Sequence, residues 1–396
     1  MPENPPSLAS WSRLCSIPLL SNGIRPFFLA AAIWASTAMA LWIATLTGHL
    51  SLAPRYGVVA WHAHEFLFGY VGAVLAGFLL TAGPNWTGRP PLTGGPLLGL
   101  FGLWLAGRLA LLAYDRLGLI ALGVDSSLLI VAALWFAREI IAARNWLNLR
   151  VVALITALAT ANVLFHWEVV RTGAASVSVR VALSLIVSLI MVIAGRITPT
   201  FTRNWLIARK RPPYPKPFDR VDAIAIAVGV AGLVSWAAMP ELELSGELLL
   251  IGGVAQLIRL ARWRGAATWR EPLILILHLG YAFVPLGFLA AGLSVLRPDI
   301  LPATAALHAW TAGAIGVTTL GVMTRVTLSD TGRPPRAPRV TGLIYASAIV
   351  AALLRIVAPL SPFMLTLLEA SAVAWILAFT GFVLVYGPFL VRESAD

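Results

Sequence analysis

Long apolar stretches alternate with short polar connections along almost the whole chain. Each stretch is close to the ~20 residues that an α-helix needs to cross the hydrocarbon core of a bilayer. The pattern therefore predicts an all-α integral membrane protein with about 12 transmembrane helices. We place these spans at 26–47, 58–82, 95–114, 118–137, 150–167, 177–197, 220–238, 246–260, 272–294, 302–325, 340–358 and 363–390.

The second and tenth spans share a pattern that their composition does not explain. Residues 64–91 align without a gap on residues 308–335, with nine identities in 28 positions. The matches include His64 on His308, three glycines (Gly69, Gly72 and Gly77 on Gly313, Gly316 and Gly321) and the sequence TGRPP in both segments. The glycines would let either a flat porphyrin or a neighbouring helix approach closely.

Half of this 244-residue offset carries Arg89-Pro90-Pro91 onto Arg211-Pro212-Pro213, which follows the sixth span. The spacing predicts three repeats of four helices with three-fold pseudo-symmetry.

The basic residues predict which side of the membrane each loop faces. Of the 29 Lys and Arg, 22 fall at the termini and in the loops on the same side as the termini, and seven fall on the other side. Because positive residues are retained in the cytoplasm, both termini are predicted to be cytoplasmic. The chain would thus comprise a cytoplasmic N-terminal segment (1–24), a single polytopic membrane domain (25–390) and a cytoplasmic tail (391–396).

Composition and charge exclude several other classes of protein. Hydrophobic residues make up 59% of the chain and charged residues 12%, with a mean hydropathy of +0.84. These values are far from those of a soluble domain. The net charge of +12 lies in loops between apolar runs, so it indicates membrane topology and no nucleic-acid partner. Cys15 is the only cysteine, which excludes disulfides within the chain and thiolate clusters.

Histidines are the main candidate ligands in this chain. On the predicted topology, five of the six lie at the outer level and one nearer the cytoplasm: His49, His62, His64, His166 and His308, and then His278. Neutral imidazole commonly binds haem iron and copper, although interfacial histidines can also bond to water or carbonyl groups. Because polar residues inside a span are costly, we interpret His62, His64 and His308 as ligands and His49 as interfacial.

The opening of the second span, "WHAHEFLFGY" (61–70), sets His62 and His64 two residues apart. On a helix this spacing turns the two side chains roughly 200° apart, so they are predicted to serve two different centres. If the second and tenth spans are equivalent under the repeat, His64 and His308 point in equivalent directions around the symmetry axis and do not face each other. We therefore expect His62 and His308 to share one haem. Glu65 is the candidate catalytic acid, as a proton relay or as a partner of a ligating imidazole.

Several longer motifs resemble the NnrS family. They are "GIRPFF" (23–28), "WHAHEFLFGY" (61–70), "GFLLTAGPNWTGRPPL" (77–92), "NVLFHWE" (162–168), "AGRITPTFTRN" (194–204), "HLGYAFVPLG" (278–287) and "LHAWTAGAIGVTTLGVMTR" (307–325). The chain departs from the family's pattern before the second TGR, where Ser329-Asp330 stands in place of a Gly-His pair.

The resemblance implies a bacterial inner-membrane protein linked to nitric oxide and denitrification, with haem and copper as cofactors. It points to His62, His64, His166, His278 and His308 as ligands of haem or metal. Since no Cys-x-x-Cys-His sequence is present to attach haem covalently, the haem is expected to be haem b. The twelve-span plan also resembles the catalytic subunit of haem–copper oxidases.

Three functions stay open at this point. The first is a redox enzyme that binds and removes nitric oxide at a haem–metal centre, with electrons from a quinol or small carrier and protons from the periplasm. The second is a non-enzymatic protein of the nitrosative stress response that binds nitric oxide, haem or copper, or delivers a cofactor. The third is a transporter, which the scarcity of charges at mid-depth disfavours.

Overall fold

The computed structural model describes residues 16–53 and 55–395. Within that part the chain is helical and contains no strand. Twelve helices are long and apolar enough to cross a membrane, as predicted. In chain order, α1 to α12 are Ile24–Leu46, Val58–Thr87, Gly94–Leu112, Leu119–Ala142, Trp146–Thr172, Ser176–Ala208, Arg220–Ala238, Glu243–Ala261, Pro272–Leu296, Ala303–Asp330, Arg339–Leu360 and Met364–Val391.

The helices begin close to the predicted residues, but several extend further at their ends. The sixth span was predicted to end at residue 197, whereas α6 continues to Ala208. Hydropathy falls where a helix leaves the bilayer, although its backbone hydrogen bonds continue through polar turns. Cys15, most of the predicted N-terminal segment 1–24 and the final residue of the tail 391–396 lie outside the described residues.

Two helices contain π-helical segments, in which the hydrogen bonds run from residue i to residue i+5. In α2 the segment is Glu65–Tyr70, and in α10 it is Ala309–Val317. Each begins at the residue after the aligned histidine, His64 or His308. Such segments are rare and occur frequently at functional sites.

The chain divides into two compact units. The first consists of the residues up to Val179, Val326–Pro334 and the stretch from Phe382. The second consists of Arg180–Arg325 and Pro335–Gly381. The predicted single domain and its three-fold pseudo-symmetry stay predictions.

In the first unit, glycines allow α3 and α4 to come very close. A Cβ atom on Gly107 would lie 3.0 Å from the Asp125 backbone. Near the predicted inner side, the buried Arg25 donates to the Arg392 carbonyl (2.6 Å) and the Ser394 hydroxyl (2.8 Å). Its Nε atom lies 3.5 Å from Asp330, the residue at which the chain departs from the family's pattern. Asp330 thus has an ion-pairing role in the structure.

In the second unit, α7, α8 and α9 also pack through glycines. A Cβ atom on Gly232 would lie 3.0 Å from the Leu248 carbonyl oxygen, and one on Gly292 would lie 2.7 Å from the Gly246 carbonyl oxygen. Large apolar side chains of this unit, such as Leu343 and Phe363, remain about 70% exposed. Such surfaces are suited to contact with lipid tails.

Candidate functional site

Four polar residues of the first unit share one depth in their helices. His64 and Asp125 each lie six residues after the start of their helix, α2 and α4. Arg108 lies four residues before the end of α3, and His166 lies six residues before the end of α5. Because neighbouring helices run in alternate directions, all four lie ~6–9 Å from the helix ends that are predicted to be outer. We call these residues, with Glu65 and Asn162, the outer cluster.

Asp125 is the centre of the outer cluster. Its Oδ2 atom lies 2.9 Å from His166 Nε2 and 3.0 Å from His64 Nε2, and it accepts a hydrogen bond from Asn162 Nδ2 at 3.1 Å. Its Oδ1 atom accepts from Arg108 Nη2. The Asp125 side chain is fully buried. Its one carboxylate contacts residues of α2, α3 and α5.

Glu65 forms the second acidic position. Its Oε2 atom accepts from Arg108 Nη1 and, at 2.7 Å, from Trp34 Nε1, and its Oε1 atom lies 3.4 Å from His64 Nδ1. Arg108 therefore bridges two fully buried carboxylates. Gly69 makes room for this bridge, since a Cβ atom there would lie 2.3 Å from Arg108 Nη1.

Tyr56 fixes the orientation of the His166 ring from the loop before α2. Its hydroxyl lies 2.8 Å from His166 Nδ1. Burial raises the pKa of Tyr56 well above its ordinary value, so the hydroxyl stays protonated and can donate to Nδ1 or accept from it, according to the tautomer of His166. This leaves His166 Nε2 directed at Asp125. The His166 and His64 rings are stacked, with centroids 4.6 Å apart.

The outer cluster fits a metal ion. One atom each of His64, Asp125 and His166 lies within 4.8 Å of the other two, and all three residues are buried. Ligands that bind one ion at ~2.1 Å stand ~3.0 Å apart when they are at right angles, which is close to the separations around Asp125 Oδ2. Two imidazoles and a carboxylate suit copper, iron or zinc, and bonds to the second nitrogen of each imidazole would orient the ligands.

The remaining predicted ligands have other surroundings. The half-buried His62 stacks on Trp42 of α1, with ring centroids 4.0 Å apart. His62 and His64 contact different helices, and their assignment to two different centres stays a prediction. The pairing of His62 with His308 at one haem stays a prediction. His49 is exposed and bonds to the Thr47 hydroxyl at 2.8 Å, in agreement with its interfacial interpretation.

In the second unit, His308 Nδ1 donates to the Thr304 carbonyl at 2.6 Å, which directs Nε2 away from its own helix. That arrangement is typical of histidines that bind metal or haem through Nε2. His278 lies elsewhere in the second unit, where its Nε2 bonds to the Thr202 hydroxyl at 2.8 Å. Its buried Nδ1 has no hydrogen-bond partner.

The aligned glycines serve side-chain packing in this structure. Cβ atoms on Gly313 and Gly316 would lie 2.3 Å from Phe283 and 2.6 Å from Trp375. With Arg108 beside Gly69 and Leu129 beside Gly72, all four glycines near the aligned histidines face protein side chains. The packing alternative therefore accounts for them better than a porphyrin does.

Arg108, Asp125, Asn162 and Tyr56 do not stand out from the sequence alone as members of the site. Arg108 is one of the seven basic residues on the predicted outer side, and the sign of its charge says nothing about its depth. A usable signal is present, because α3 and α4 are adjacent and carry opposite charges four and six residues from their common loop. An ionisable residue inside a span is a functional candidate by default.

Comparison with known proteins gives one match. Residues 18–394 match the family model described as NnrS protein, which covers nearly the whole chain. No curated protein and no solved structure matches the chain.

Proposed function

Because this chain belongs to the NnrS family, we propose that it binds nitric oxide in the bacterial inner membrane and removes it by reduction at a haem–copper site. Family membership fits a membrane protein linked to nitric oxide. The observation that carries the proposal further is the buried group of His64, Asp125 and His166, whose donor atoms converge as metal ligands do. We assign copper to this group.

Haem b is assigned to the remaining predicted ligands. His308 has the fixed Nδ1 that a haem ligand needs, and His62 lies at the start of α2 beside Trp42. His278 has its Nε2 bonded to Thr202, which makes it the weaker candidate. When bound, haem iron and copper supply nitric oxide coordination and electron transfer, with a quinol or a small carrier as donor.

The protein's own residues would hold and move protons beside the metals. His64 Nδ1 lies 3.4 Å from Glu65 Oε1, so a proton can pass between these two atoms. Trp34 and Arg108 hold the other carboxylate oxygen in place. The full burial of His64 and Glu65 keeps bulk water from the reacting groups.

The orientation of the protein belongs to the same proposal. Twelve spans place both termini on one side, and the distribution of basic residues makes that side the cytoplasm. The outer cluster then faces the periplasmic half of the membrane. Residues 1–24 and 391–396 would be cytoplasmic extensions of the membrane domain.

Purified protein from cells supplied with iron and copper provides the test. We expect the absorption spectrum of haem b, copper by elemental analysis, and consumption of nitric oxide under anaerobic conditions with a reduced electron donor. His64→Ala and His166→Ala should each remove copper, whereas the control His49→Ala should retain it, because His49 lies outside the outer cluster.

Absence of both haem and copper from the wild-type protein would overturn the proposal. Retention of both cofactors, with nitric oxide bound and never consumed, would exclude the enzyme and favour the binding or delivery protein.

A further inference from the structure

Three residues of the outer cluster carry permanent charges, two negative and one positive. Glu65 and Asp125 are carboxylates, each in contact with Arg108, whose guanidinium stays protonated in proteins. Side-chain exposure is 0% for both acids and 3% for Arg108. Tyr56, which also contacts the cluster, carries a phenol and adds no permanent charge. With both imidazoles neutral, as metal binding requires, these groups sum to one negative charge.

A buried site of this kind penalises any charge that is left uncompensated. A cuprous ion would bring the net charge of the cluster to zero, whereas a cupric ion would leave one excess positive charge. We propose that Arg108 sets the charge of the outer cluster so that copper is held there in its cuprous state. The inference rests on the proposed copper site.

Arg108 acts from outside the ligand group. Its Nη2 atom contacts Asp125 Oδ1, while the two imidazoles face Oδ2 of the same carboxylate. The guanidinium therefore withdraws negative charge from the carboxylate without blocking the oxygen that faces the imidazoles. A carboxylate by itself favours a divalent ion, and Arg108 offsets that preference. Arg108 is thus a positioning residue that acts through Asp125.

The test uses charge changes of opposite sign at one ion pair. In the copper-loaded full chain, the midpoint potential would be followed through the electron paramagnetic resonance signal of Cu²⁺. Arg108→Gln makes the ligand environment more negative, so the potential should fall. Glu65→Gln makes it less negative, so the potential should rise. Each change should alter the ratio of cuprous to cupric affinity at least tenfold, which is about 59 mV for a one-electron couple.

The double variant separates charge from structure. Glu65→Gln with Arg108→Gln restores the wild-type sum, so its potential should return close to the wild-type value. Arg108→Lys keeps the charge and should shift the potential least of the single variants. Arg259→Gln removes another buried arginine, whose partners are Asp222 and Tyr281 in the second unit, and it should leave the copper potential unchanged.

Equal or same-direction shifts in the two single variants, or a double variant displaced further than either, would overturn the inference. If Arg108→Gln does not fold, a Glu65→Gln potential that stays the same or falls would overturn it equally. Failure of the copper site itself looks different, because copper would then be absent from the wild-type protein or insensitive to His64→Ala.

Discussion

At the scale of single residues, Asp125 connects its own helix, α4, to three others, α2, α3 and α5. It contacts Arg108 through one oxygen and His64, Asn162 and His166 through the other. Removal of one partner from a buried ion pair costs ~3–5 kcal/mol, because the remaining charge is left without compensation. The same contacts that would bind a metal therefore also hold α2, α3, α4 and α5 together.

Gly69 provides a sharp test of this arrangement. Gly69→Ala would place a methyl group 2.3 Å from Arg108 Nη1 and 2.7 Å from Glu65 Oε2, so the buried ion pair would have to shift. We expect a loss of ~1–3 kcal/mol in stability, seen as a lower melting temperature in detergent, together with reduced copper content.

The matched control for Gly69 is Gly72→Ala in the same helix. Its added methyl group would lie 3.6 Å from Leu129 and 3.9 Å from Leu128, which are ordinary contact distances, so copper content should be retained. Equal effects of the two substitutions would contradict the role assigned to Gly69.

Sequence reasoning identified part of the site at this scale. His64 and His166 stood out because histidines are rare in the chain and both fall inside motifs shared with a family. Arg108, Asp125 and Asn162 acquire their roles only through contacts with residues of other helices. The contacting residues are 17 to 98 positions apart in the sequence. Helical periodicity does not show which faces of two distant helices meet.

At the scale of elements, the π-helical segments of α2 and α10 could not be predicted from the sequence. An apolar span looks the same in hydropathy whether its hydrogen bonds run from residue i to i+4 or to i+5. The aligned histidines and glycines did identify these two helices as a pair, and in both the π segment begins directly after the histidine. A repeat in sequence thus corresponds here to a repeat in local backbone geometry.

The start of α7 gives a testable case of helix capping. Asp219 accepts a hydrogen bond from the backbone of Val221 (2.9 Å), and Arg262 donates to its side chain. That contact with Arg262 lowers the pKa of Asp219 to about 2. Asp219→Ala should lower the melting temperature at neutral pH. Asp219→Asn should lower it less, because the amide oxygen can still cap the helix.

The pH dependence of this cap has a definite sign. A lowered pKa means that the folded state favours the ionised Asp219, so the stabilisation is complete above the unfolded value of ~3.9. It is lost as the pH falls through about 2. The melting temperatures of wild-type protein and Asp219→Asn should therefore converge over this range, measured by thermal unfolding from pH 5 downwards. A constant difference would contradict the ion-pair contribution.

At the scale of the whole molecule, the number and order of the spans could be predicted from the sequence. Hydropathy is a property of each segment alone, so it does not depend on knowing which helices pack together. Even the eighth span, the shortest of the twelve predicted spans, is a helix from Glu243 to Ala261. The arrangement of the twelve helices depends on many side-chain contacts at once, and a single sequence leaves it open.

The predicted orientation can be tested with single cysteines after Cys15→Ser. Glu243 is exposed at the start of α8, at an end predicted to be outer, and Lys210 is exposed in the connection between α6 and α7, which is predicted to be inner. In intact spheroplasts, a membrane-impermeant maleimide should label Glu243→Cys and should label Lys210→Cys only after the membrane is permeabilised. The reverse pattern would invert the topology and the assignment of the outer cluster to the periplasmic side.

The depth of the outer cluster predicts the side from which protons for nitric oxide reduction are taken. Glu65, Arg108 and Asp125 lie within ~11 Å of the outer helix ends. In the inner halves of α2 to α5 the sequence has one acid, Glu139, and Arg89 pairs with it. No chain of acids therefore leads inward from the cytoplasmic side along these helices, so protons should enter from the periplasm and no membrane potential should form during turnover.

Proteoliposomes of known protein orientation, with a pH dye inside, a voltage dye and an added reductant, would measure both the side of proton uptake and the membrane potential. Proton uptake from the cytoplasmic face would show that the route passes through residues other than the outer cluster.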